Sequence, residues 1–359
     1  MCGIVGAITF NDNFKVRKPY LIKMRDSMTH RGPDGAGVWV DPRGKVGLAH
    51  RRLSVIDLSS SAMQPMANDD NSVLLSFNGE IYNHAELRQE LNRILQIQWK
   101  TDHSDTEVII RAYEAWGIDC LKKFRGMFAI ALWDKQKKCL WLARDRVGIK
   151  PLYYSHHHGR VTFASEIKAL LLDPDQSREL DEDALAGYMS FICTPAPKTL
   201  FEGIRKLEAG TWLRIQEDGG MHLSRWYDVL DHTNAAVAPT GDALYERVLS
   251  SLSEVVELHK EGDVPMGVFL SGGVDSSANT KLFSRGHMSP VNTFSVGYDA
   301  DYKTYTNELL YAREMADSVG ANHHERVLNE QDLLEFIPKM IYLQDEPIAD
   351  PVCMPLYFV

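Results

Sequence analysis

The chain opens with Met1-Cys2-Gly3-Ile4-Val5-Gly6, a stretch that places a thiol beside the initiator methionine. Removal of Met1 would make Cys2 the N-terminal residue, which would then carry both a nucleophile and an α-amino group. A free α-amino group has a reference pKa near ~8, so an appreciable fraction is neutral at physiological pH and can take the thiol proton. The alternative is that Cys2 begins an apolar strand over residues 4–10 and packs as a small hydrophobic residue. Position alone favours that alternative, and the motifs further along the chain decide between the two.

Length and charge limit the kind of protein that this sequence can encode. The 359 residues exceed a typical single domain, and 44% hydrophobic residues suffice for more than one core. The 49 acidic and 39 basic residues give a net charge of -10, which repels nucleic acid and anionic membrane surfaces. The sequence shows no export signal and no uninterrupted apolar run of about 18 residues. We therefore predict a cytoplasmic protein of two domains that binds neither nucleic acid nor membranes.

The five cysteines are widely scattered and include no CxxC pair, which argues against a disulfide framework or a structural zinc site. The consecutive His156, His157 and His158 have no acidic or cysteine partner nearby in the sequence. We therefore predict that they form a solvated turn between two strands and bind no metal.

The first part of the chain, to about residue 225, predicts an α+β domain. Runs of β-branched and aromatic residues between turn residues predict strands, and apolar residues at three-to-four spacing predict helices. The predicted strands span 46–49, 73–77, 127–132, 140–143 and 161–164, and the predicted helices span 85–95, 105–116 and 181–191. The turn Asp218-Gly219-Gly220 predicts a closing hairpin over residues 212–223.

The pattern changes after residues 231–241, which lack apolar periodicity and are typical of a linker. Helices are predicted at 243–259, after Asp275, at 307–319 and from Gln331, with strands at 266–270 and 291–296. Strands that alternate with helices predict a parallel sheet with crossover connections.

Two stretches of the first domain combine charge with backbone freedom. Residues 30–37, His-Arg-Gly-Pro-Asp-Gly-Ala-Gly, suggest a loop whose backbone approaches another group closely, although a surface turn would explain the glycines equally well. Arg52 follows a predicted strand, where its planar fork could clamp a carboxylate. An ordinary charged strand end is the alternative for Arg52.

Two further stretches place polar groups where a reacting amide or amine could meet them. Asn78-Gly79 can aim a side-chain amide and a backbone N–H at one point, as an oxyanion hole requires, or it can form a hairpin turn. Ser104-Asp105-Thr106-Glu107 precedes an amphipathic helix and suits an N-cap with acidic residues at the positive helix end. Asp105 could equally bind a substrate ammonium group.

The second domain carries its own candidate site at Val268-Phe269-Leu270-Ser271-Gly272-Gly273-Val274-Asp275-Ser276-Ser277. An apolar strand runs here into two glycines and then a helix, so bare N–H groups and the positive helix end converge on one concavity. Such a nest binds phosphate. The spacing and the lysine of a Walker loop are absent.

The motifs taken in order resemble a known family. Residues 2–6, 30–37, 52–54, 78–84, 104–108 and 144–154 resemble the class II glutamine amidotransferase domain of the glutamine-hydrolysing asparagine synthetases. The Ser-Gly-Gly-x-Asp-Ser loop resembles the pyrophosphate-binding loop of ATP pyrophosphatases. The resemblance implies an α+β N-terminal-nucleophile hydrolase, an αββα sandwich, over residues 2–228. It further implies a linker over 229–241 and an incomplete α/β parallel-sheet ATP-pyrophosphatase domain over 242–359.

The resemblance also implies a role for each matching residue. Cys2 would attack the side-chain amide of glutamine, with Asn78 and Gly79 holding the oxyanion. Arg52 would bind the glutamine α-carboxylate, and Glu80 and Asp105 the end that bears the α-amino group. In the second domain the implied pyrophosphate and ATP contacts are Leu270, Ser271, Gly272, Gly273, Asp275, Ser276 and Val296, with Asp275 also holding Mg²⁺.

The implied activity is a glutamine-dependent asparagine synthetase, a homodimer that uses ATP and Mg²⁺. Ammonia from glutamine would displace AMP from an adenylated aspartate, giving asparagine, glutamate, AMP and pyrophosphate. Relatives that amidate another carboxylate, such as a sugar acid, remain an alternative, as does a non-catalytic binding or regulatory relative. The β-lactam-forming relatives fit less well because they do not need Cys2. The family's second glycine- and acid-rich loop is missing, so we expect a truncated enzyme that hydrolyses glutamine without completing amide synthesis.

Overall fold

The computed structural model describes residues 1–233, 240–287, 289–299 and 307–359. Contacts between Cα atoms divide the chain into two units, Met1–Asn234 and Ala235–Val359. Positions 234–239 of the predicted linker lie outside the described residues, and positions 229–232 form a short 3₁₀ helix, Val229–His232. The domain limits 2–228 and 242–359 stay predictions.

The first unit consists of antiparallel strands and helices. Its strands are β1 (Gly3–Thr9), β2 (Gly35–Val40), β3 (Val46–Arg52), β4 (Met66–Ala67), β5 (Val73–Ile81), β6 (Gly126–Asp134), β7 (Cys139–Arg144), β8 (Tyr153–His157), β9 (Arg160–Ala164), β10 (Ile204–Lys206), β11 (Thr211–Gln216) and β12 (Met221–Arg225). Its helices are α1 (Lys18–Asp26), α2 (His84–Ile94), α3 (Asp105–Trp116), α4 (Ile167–Leu170) and α5 (Glu182–Phe191).

These strands form two six-stranded sheets. Sheet A has the order β10-β8-β9-β1-β3-β2, and sheet B has the order β12-β11-β7-β6-β5-β4. The strand that carries the N-terminal motif, β1, therefore lies inside sheet A between β9 and β3. The strand that contains Asn78 and Gly79, β5, lies in sheet B beside the two-residue strand β4.

Side-chain alternation along the strands builds four layers. Ile4 and Ile8 of β1 pack with Ala131 of β6 in a core between the two sheets. The intervening Val5 of β1 faces α1 and α4, and Ile130 of β6 faces α2 and α3. Successive residues of a strand point to opposite faces, so each sheet is buried on both sides and the order is helices, sheet A, sheet B, helices. The predicted αββα sandwich is confirmed.

The second unit begins with a long helix and continues as a parallel sheet. Its helices are α6 (Asp242–Leu258), α7 (Val274–Ser284), α8 (Leu309–Ser318), α9 (Glu330–Gln344) and α10 (Pro355–Phe358), and its strands are β13 (Gly267–Phe269), β14 (Asn292–Tyr298) and β15 (Asn322–Leu328). The strands pair in the order β13-β14-β15, with every pair parallel. The predicted parallel sheet is confirmed, and helices connect its strands.

Several predicted elements need correction. The turn predicted over His156, His157 and His158 is too long. β8 and β9 stay paired through His156 and His157, so of the three only His158 lies in the turn. His157 Nε2 lies 3.2 Å from Asp173 Oδ2. Within the described parts of the chain, no group of three His, Cys, Asp or Glu residues is arranged to hold a metal ion. Elements that the pattern did not indicate are α1, α4, β2, β4, β8, β10 and β15.

No helix in the described part of the chain has both the length and the apolar character needed to cross a membrane.

Candidate active site

One pocket in the first unit, of about 90 Å³, brings the predicted amidotransferase residues together. It lies where the starts of β1 and α3 meet the ends of β3 and β5. The residues that line it include all six of the predicted set: Cys2, Arg52, Asn78, Gly79, Glu80 and Asp105. Residues that the prediction did not include also line it: Met1, Leu53, Val55, Ile56, Gln64, Phe77, Thr106 and Lys150.

The thiol of Cys2 is half-buried at the start of β1. Its Sγ lies 3.6 Å from the carbonyl oxygen of Leu53 and 3.4 Å from the Leu53 nitrogen. The carbonyl oxygen of Cys2 accepts a hydrogen bond from Nε of Arg31 at 3.0 Å, and Arg31 in turn donates to Glu166 at 2.9 Å. Burial raises the pKa of the Cys2 thiol, so the resting side chain is neutral at pH 7 and a nucleophilic attack needs a base.

The terminal amine, which belongs to Met1, lies beside the pocket. Burial lowers the pKa of the amine on Met1, and the charges of Arg31 and Lys150 act in the same direction. A lowered pKa increases the neutral fraction of an amine at pH 7. Met1 as a whole is 56% exposed.

The edge of β5 that faces the pocket is only partly paired with another strand. β5 pairs with β6 along its whole length, but β4 reaches only Leu74 and Leu75. Side chains complete the edge beyond that point. The N–H of Phe77 donates to Gln64 Oε1 at 2.6 Å, and the N–H of Ile81 donates to Asp105 Oδ2 at 3.1 Å.

Gly79 lies between those two positions on the same edge. Alternate residues of an antiparallel strand direct their amide groups to opposite neighbours. Phe128 lies opposite Gly79, but its N–H donates to Asp145 Oδ2 and its carbonyl oxygen accepts from the N–H of Asp145. The N–H of Gly79 therefore points away from β6 and into the pocket. A Cβ atom at Gly79 would lie 2.0 Å from the carbonyl oxygen of Met127. Glycine therefore lets the strand approach β6 this closely while its N–H faces the pocket.

The side chain of Asn78 is fully buried, and neither its Oδ1 nor its Nδ2 has a hydrogen-bond partner among the described residues. Leaving a buried amide unpaired costs about 1–3 kcal/mol. Such a cost is typical of a group whose partner is a ligand. Asn78 and Gly79 lie within β5, so the hairpin-turn alternative for this pair is wrong.

The polar end of the pocket contains charges of both signs. Arg52 is 5% exposed, and its guanidinium donates to the carbonyl oxygens of Ser59, at 2.8 Å, and Asp57, which fix its orientation. Asp105 is also 5% exposed. Burial raises the pKa of Asp105 to about 7, and the carboxylate of Glu80 acts in the same direction.

Asp105 also starts a helix, as predicted. Ser104 is the N-cap of α3, and its side chain accepts a hydrogen bond from the N–H of Thr106 at 3.3 Å. The predicted helix 105–116 agrees with the structure at both ends.

Lys150 enters the pocket from the loop after β7. It is 3% exposed, and burial lowers the pKa of its ammonium group. Asp145 shapes this loop by accepting hydrogen bonds from the N–H groups of Ile149 at 2.9 Å and Lys150 at 3.0 Å. The motif at 144–154 marked the loop, but no local pattern indicated that the lysine side chain faces Cys2.

The candidate phosphate loop of the second unit has a different construction. Gly272 has a φ of +88°, and a Cβ atom there would lie 2.7 Å from the carbonyl oxygen of Glu308. The hydroxyls of Ser271 and Ser276 are 2.9 Å apart across the loop. The N–H of Ser271 donates to Ser276 Oγ at 3.2 Å, and the N–H of Gly273 donates to Ser271 Oγ at 3.3 Å. Backbone N–H groups and hydroxyls thus lie together at the N-terminus of α7, a set of groups that fits a phosphate. Asp275 is exposed on the first turn of α7.

The two residues predicted to line the nucleotide site differ in their surroundings. Leu270 is 1% exposed and packs against Ala312 and Ala316 of α8, whereas Val296 is half-buried on β14. Their contact with a nucleotide stays a prediction.

Comparison with known proteins shows to which family the chain belongs. Residues 1–227 match the family model described as a glutamine amidotransferase domain, and residues 247–359 match the model described as asparagine synthase. The chain is 33% identical over 380 residues to the putative glutamine-hydrolysing asparagine synthetase 2 of Methanocaldococcus jannaschii, covering all of this chain and 71% of that protein. The chain belongs to the glutamine-hydrolysing asparagine synthetase family.

Other members of the family are longer than this chain. Asparagine synthetase 1 of Bacillus subtilis is 36% identical over 361 residues, which are 100% of this chain and 55% of that protein. Amidase chry2 of Gibberella zeae is 30% identical over 383 residues, which are 98% of this chain and 54% of that protein. The chain thus spans about half the length of these two relatives.

Proposed function

We propose that the first unit hydrolyses glutamine at Cys2. The observation that carries this proposal is the buried Asn78 amide, which has no protein partner among the described residues and lines one pocket with the Cys2 thiol and the Gly79 N–H. A primary amide bound with its carbon against Sγ would place its oxygen beside these two donors. Preorganised donors of this kind stabilise the negative charge that develops on the oxygen.

Apart from water, the reaction then needs only groups of the pocket. Once Met1 is removed, Cys2 Sγ attacks the amide carbon, and the α-amino group of Cys2 takes the thiol proton. The tetrahedral intermediate collapses when the C–N bond breaks and the α-ammonium group returns the proton to the leaving nitrogen, so that ammonia departs. Water then cleaves the remaining thioester, which releases glutamate and regenerates the thiol.

The charges at the polar end suit the amino-acid part of glutamine. Arg52 offers a guanidinium whose orientation is already set by loop carbonyls, and such a fork binds a carboxylate. Glu80 and Asp105 offer carboxylates for the α-ammonium group. These three residues would therefore distinguish free glutamine from a glutamine side chain within a protein.

The test is glutamate release from glutamine by the purified chain, after its intact mass has shown whether Met1 is removed. Cys2→Ala is expected to lower kcat by at least about 10⁴-fold, because the nucleophile is lost. Cys193→Ala removes an exposed thiol and is the matched control, expected to retain wild-type kcat. Hydrolysis that survives in Cys2→Ala would refute the assignment.

We further propose that the loop of the second unit binds the pyrophosphate part of ATP. The donor set of Ser271, Gly272, Gly273 and Ser276 supports this, with Leu270 and Val296 on the nucleotide side. A bound Mg²⁺, which prefers carboxylate and phosphate oxygens, would neutralise phosphate charge there and would be held by Asp275. ATP would activate a carboxylate by adenylation, which makes it an acceptor for ammonia.

We propose aspartate as that carboxylate, with asparagine as product. The names of the relatives from Bacillus subtilis and Methanocaldococcus jannaschii support this choice. Another carboxylate is the second candidate, because not every relative is named an asparagine synthetase: the Gibberella zeae relative, at 30% identity, is named an amidase. Pyrophosphate release from ATP, measured with aspartate and then with a panel of other carboxylic acids, separates the two.

A further inference from the structure

The side chain of His50 links the sheet of Cys2 to the strand of Asn78. His50 lies in β3 directly opposite Ile4 of β1, and its Nε2 is 3.0 Å from the carbonyl oxygen of Phe77 in β5. Because a carbonyl only accepts, Nε2 carries the hydrogen of this bond. His50 is fully buried, and burial lowers its pKa to about 4, so the ring is neutral at pH 7.

The other polar group of Phe77 is held as well. Its N–H donates to Gln64 Oε1 at 2.6 Å, and Gln64 Nε2 donates to Thr106 Oγ1 of α3 at 3.2 Å. Both backbone groups of Phe77 on this edge are thus bonded to side chains from outside sheet B. Asn78 is the next residue along the strand.

Gly37 brings these two side chains together. It is the last glycine of the stretch 30–37, and it pairs with His50 in the register of β2 and β3. A Cβ atom at Gly37 would lie 1.9 Å from the carbonyl oxygen of Gln64. The close backbone approach expected from this glycine-rich stretch is therefore made to the segment that carries Gln64.

We propose that Gly37, His50 and Gln64 are positioning residues, which set the Asn78 amide and the Gly79 N–H at the correct distance from Cys2. This inference rests on the proposed glutaminase function and adds to it residues that do not touch the reacting atoms. The core between the two sheets is apolar, and apolar packing is not directional. Hydrogen bonds to Phe77 are directional, and displacement of catalytic groups by about 1 Å can cost on the order of a hundredfold in rate.

The experiment compares two rates in variants of the full chain on a Cys193→Ala background. The first is kcat for glutamine hydrolysis, which needs the oxyanion groups. The second is alkylation of Cys2 by iodoacetamide, read by mass spectrometry, which is a displacement at carbon and forms no oxyanion. His50→Phe keeps the ring and removes the donor, and Gln64→Met keeps the length and removes the acceptor.

Both variants are expected to lose about tenfold to a hundredfold in kcat. The alkylation rate should stay within about threefold of the parent in both variants, because the thiol is unchanged. The KM for glutamine should do so in His50→Phe, because His50 does not line the pocket. His50→Gln, which restores an N–H donor, is expected to recover most of the loss. His156→Phe, on the exposed face of β8, is the control and should behave as the parent.

Two results would overturn this inference. Wild-type kcat in His50→Phe would show that the link is not needed, and parallel losses of kcat and alkylation would show a purely structural role. If His50→Phe does not fold, Gln64→Met decides by the same two readouts. A parent chain without hydrolysis would refute the proposed function itself, whereas an active parent with unaffected variants refutes only this inference.

Discussion

The two candidate sites of this chain differ most in burial. In the first unit, Asn78, Lys150, Arg52 and Asp105 are all at most 5% exposed. In the second unit, Val274, the first residue of α7, is 86% exposed, and Ser271 and Asp275 near it are exposed. A buried site works through shifted pKa values and unpaired polar groups, both of which need a surrounding core. The open loop works through backbone N–H groups and a helix end, which need only local geometry.

If burial makes the first site effective, loss of its unpaired amide should have the largest effect of any change that leaves the thiol in place. Asn78→Ala is expected to lower kcat for glutamine hydrolysis by about 10²–10³-fold, as the loss of one oxyanion donor does elsewhere. KM should change little, because Arg52 and Asp105 remain. Steady-state glutamate release gives both constants, and Asn13→Ala at an exposed position is the control. A loss below twofold would contradict the oxyanion role.

The raised pKa of Asp105 predicts that activity at the buried site depends on pH. A carboxylate that binds an ammonium group must be ionised, and the pKa of Asp105 in the free protein is about 7. The value of kcat/KM for glutamine should therefore fall about tenfold per pH unit below pH 7. Asp105→Asn is expected to lower kcat/KM at pH 8 by about 10–100-fold, which corresponds to the free energy of one charged hydrogen bond. The variant should also lose the decrease of kcat/KM below pH 7.

The control is Asp102→Asn, at a side chain that is 94% exposed and near the same helix. It should keep the wild-type pH profile. If kcat/KM of Asp105→Asn still falls below pH 7 as in the wild type, the group that titrates is not Asp105.

The same burial predicts a pH-dependent stability for the first unit. The pKa of Asp105 rises from 3.8 to about 7 on folding, so the folded state disfavours the ionised form. This penalty is absent below pH 3.8 and is complete above pH 7, so the contribution of Asp105 to the free energy of unfolding falls as pH rises between these values. Its size is on the order of 4 kcal/mol, from about 1.36 kcal/mol per pKa unit.

Asp105→Asn should therefore be more stable than wild type at pH 8 and should lose that advantage at pH 4. Denaturant unfolding at the two pH values measures the difference. A stability difference that does not change with pH would contradict the burial argument.

Removal of one side chain should have its smallest effect on binding at the open loop of the second unit. Ser276→Ala removes one hydroxyl from a donor set made mostly of backbone N–H groups, so the Kd for inorganic pyrophosphate should rise only about threefold to tenfold. Calorimetric titration measures it. Ser284→Ala, at the other end of α7, is the matched control and should bind as wild type. A loss as large as that predicted for Asn78 would mean that this loop too depends on side chains.

Local signals predicted some elements accurately and missed others. The predicted ends of helix α3 agree with the structure, because a serine cap and an apolar stripe mark the helix in the sequence. Strand β2, Gly-Ala-Gly-Val-Trp-Val, was missed because its glycines indicate a loop. Strand β15 was missed because it is a polar edge strand with mostly exposed side chains. Edge strands lack the alternation that burial of one face imposes.

The candidate site divides in the same way. Cys2, Arg52, Asn78, Gly79, Glu80 and Asp105 were named from motifs, and they do line one pocket. Gln64, Lys150 and His50 were not. The contacts of His50 and Gln64 involve residues that are distant in the sequence. His50 bonds to Phe77, 27 positions along, and Gln64 bonds to Thr106, 42 positions along.

The sequence by itself determined the chemical groups of this protein and the order in which they occur. It placed a thiol next to the chain start, an amide beside a glycine, and a glycine loop ahead of a helix, because these features are local in the chain. Only the tertiary structure decided that β4 ends early and leaves the edge of β5 open, that Gly79 points its N–H into that opening, and that Asp105 is buried enough to titrate near pH 7. The physical reason is that strand pairing and the burial that shifts a pKa both depend on residues distant in sequence.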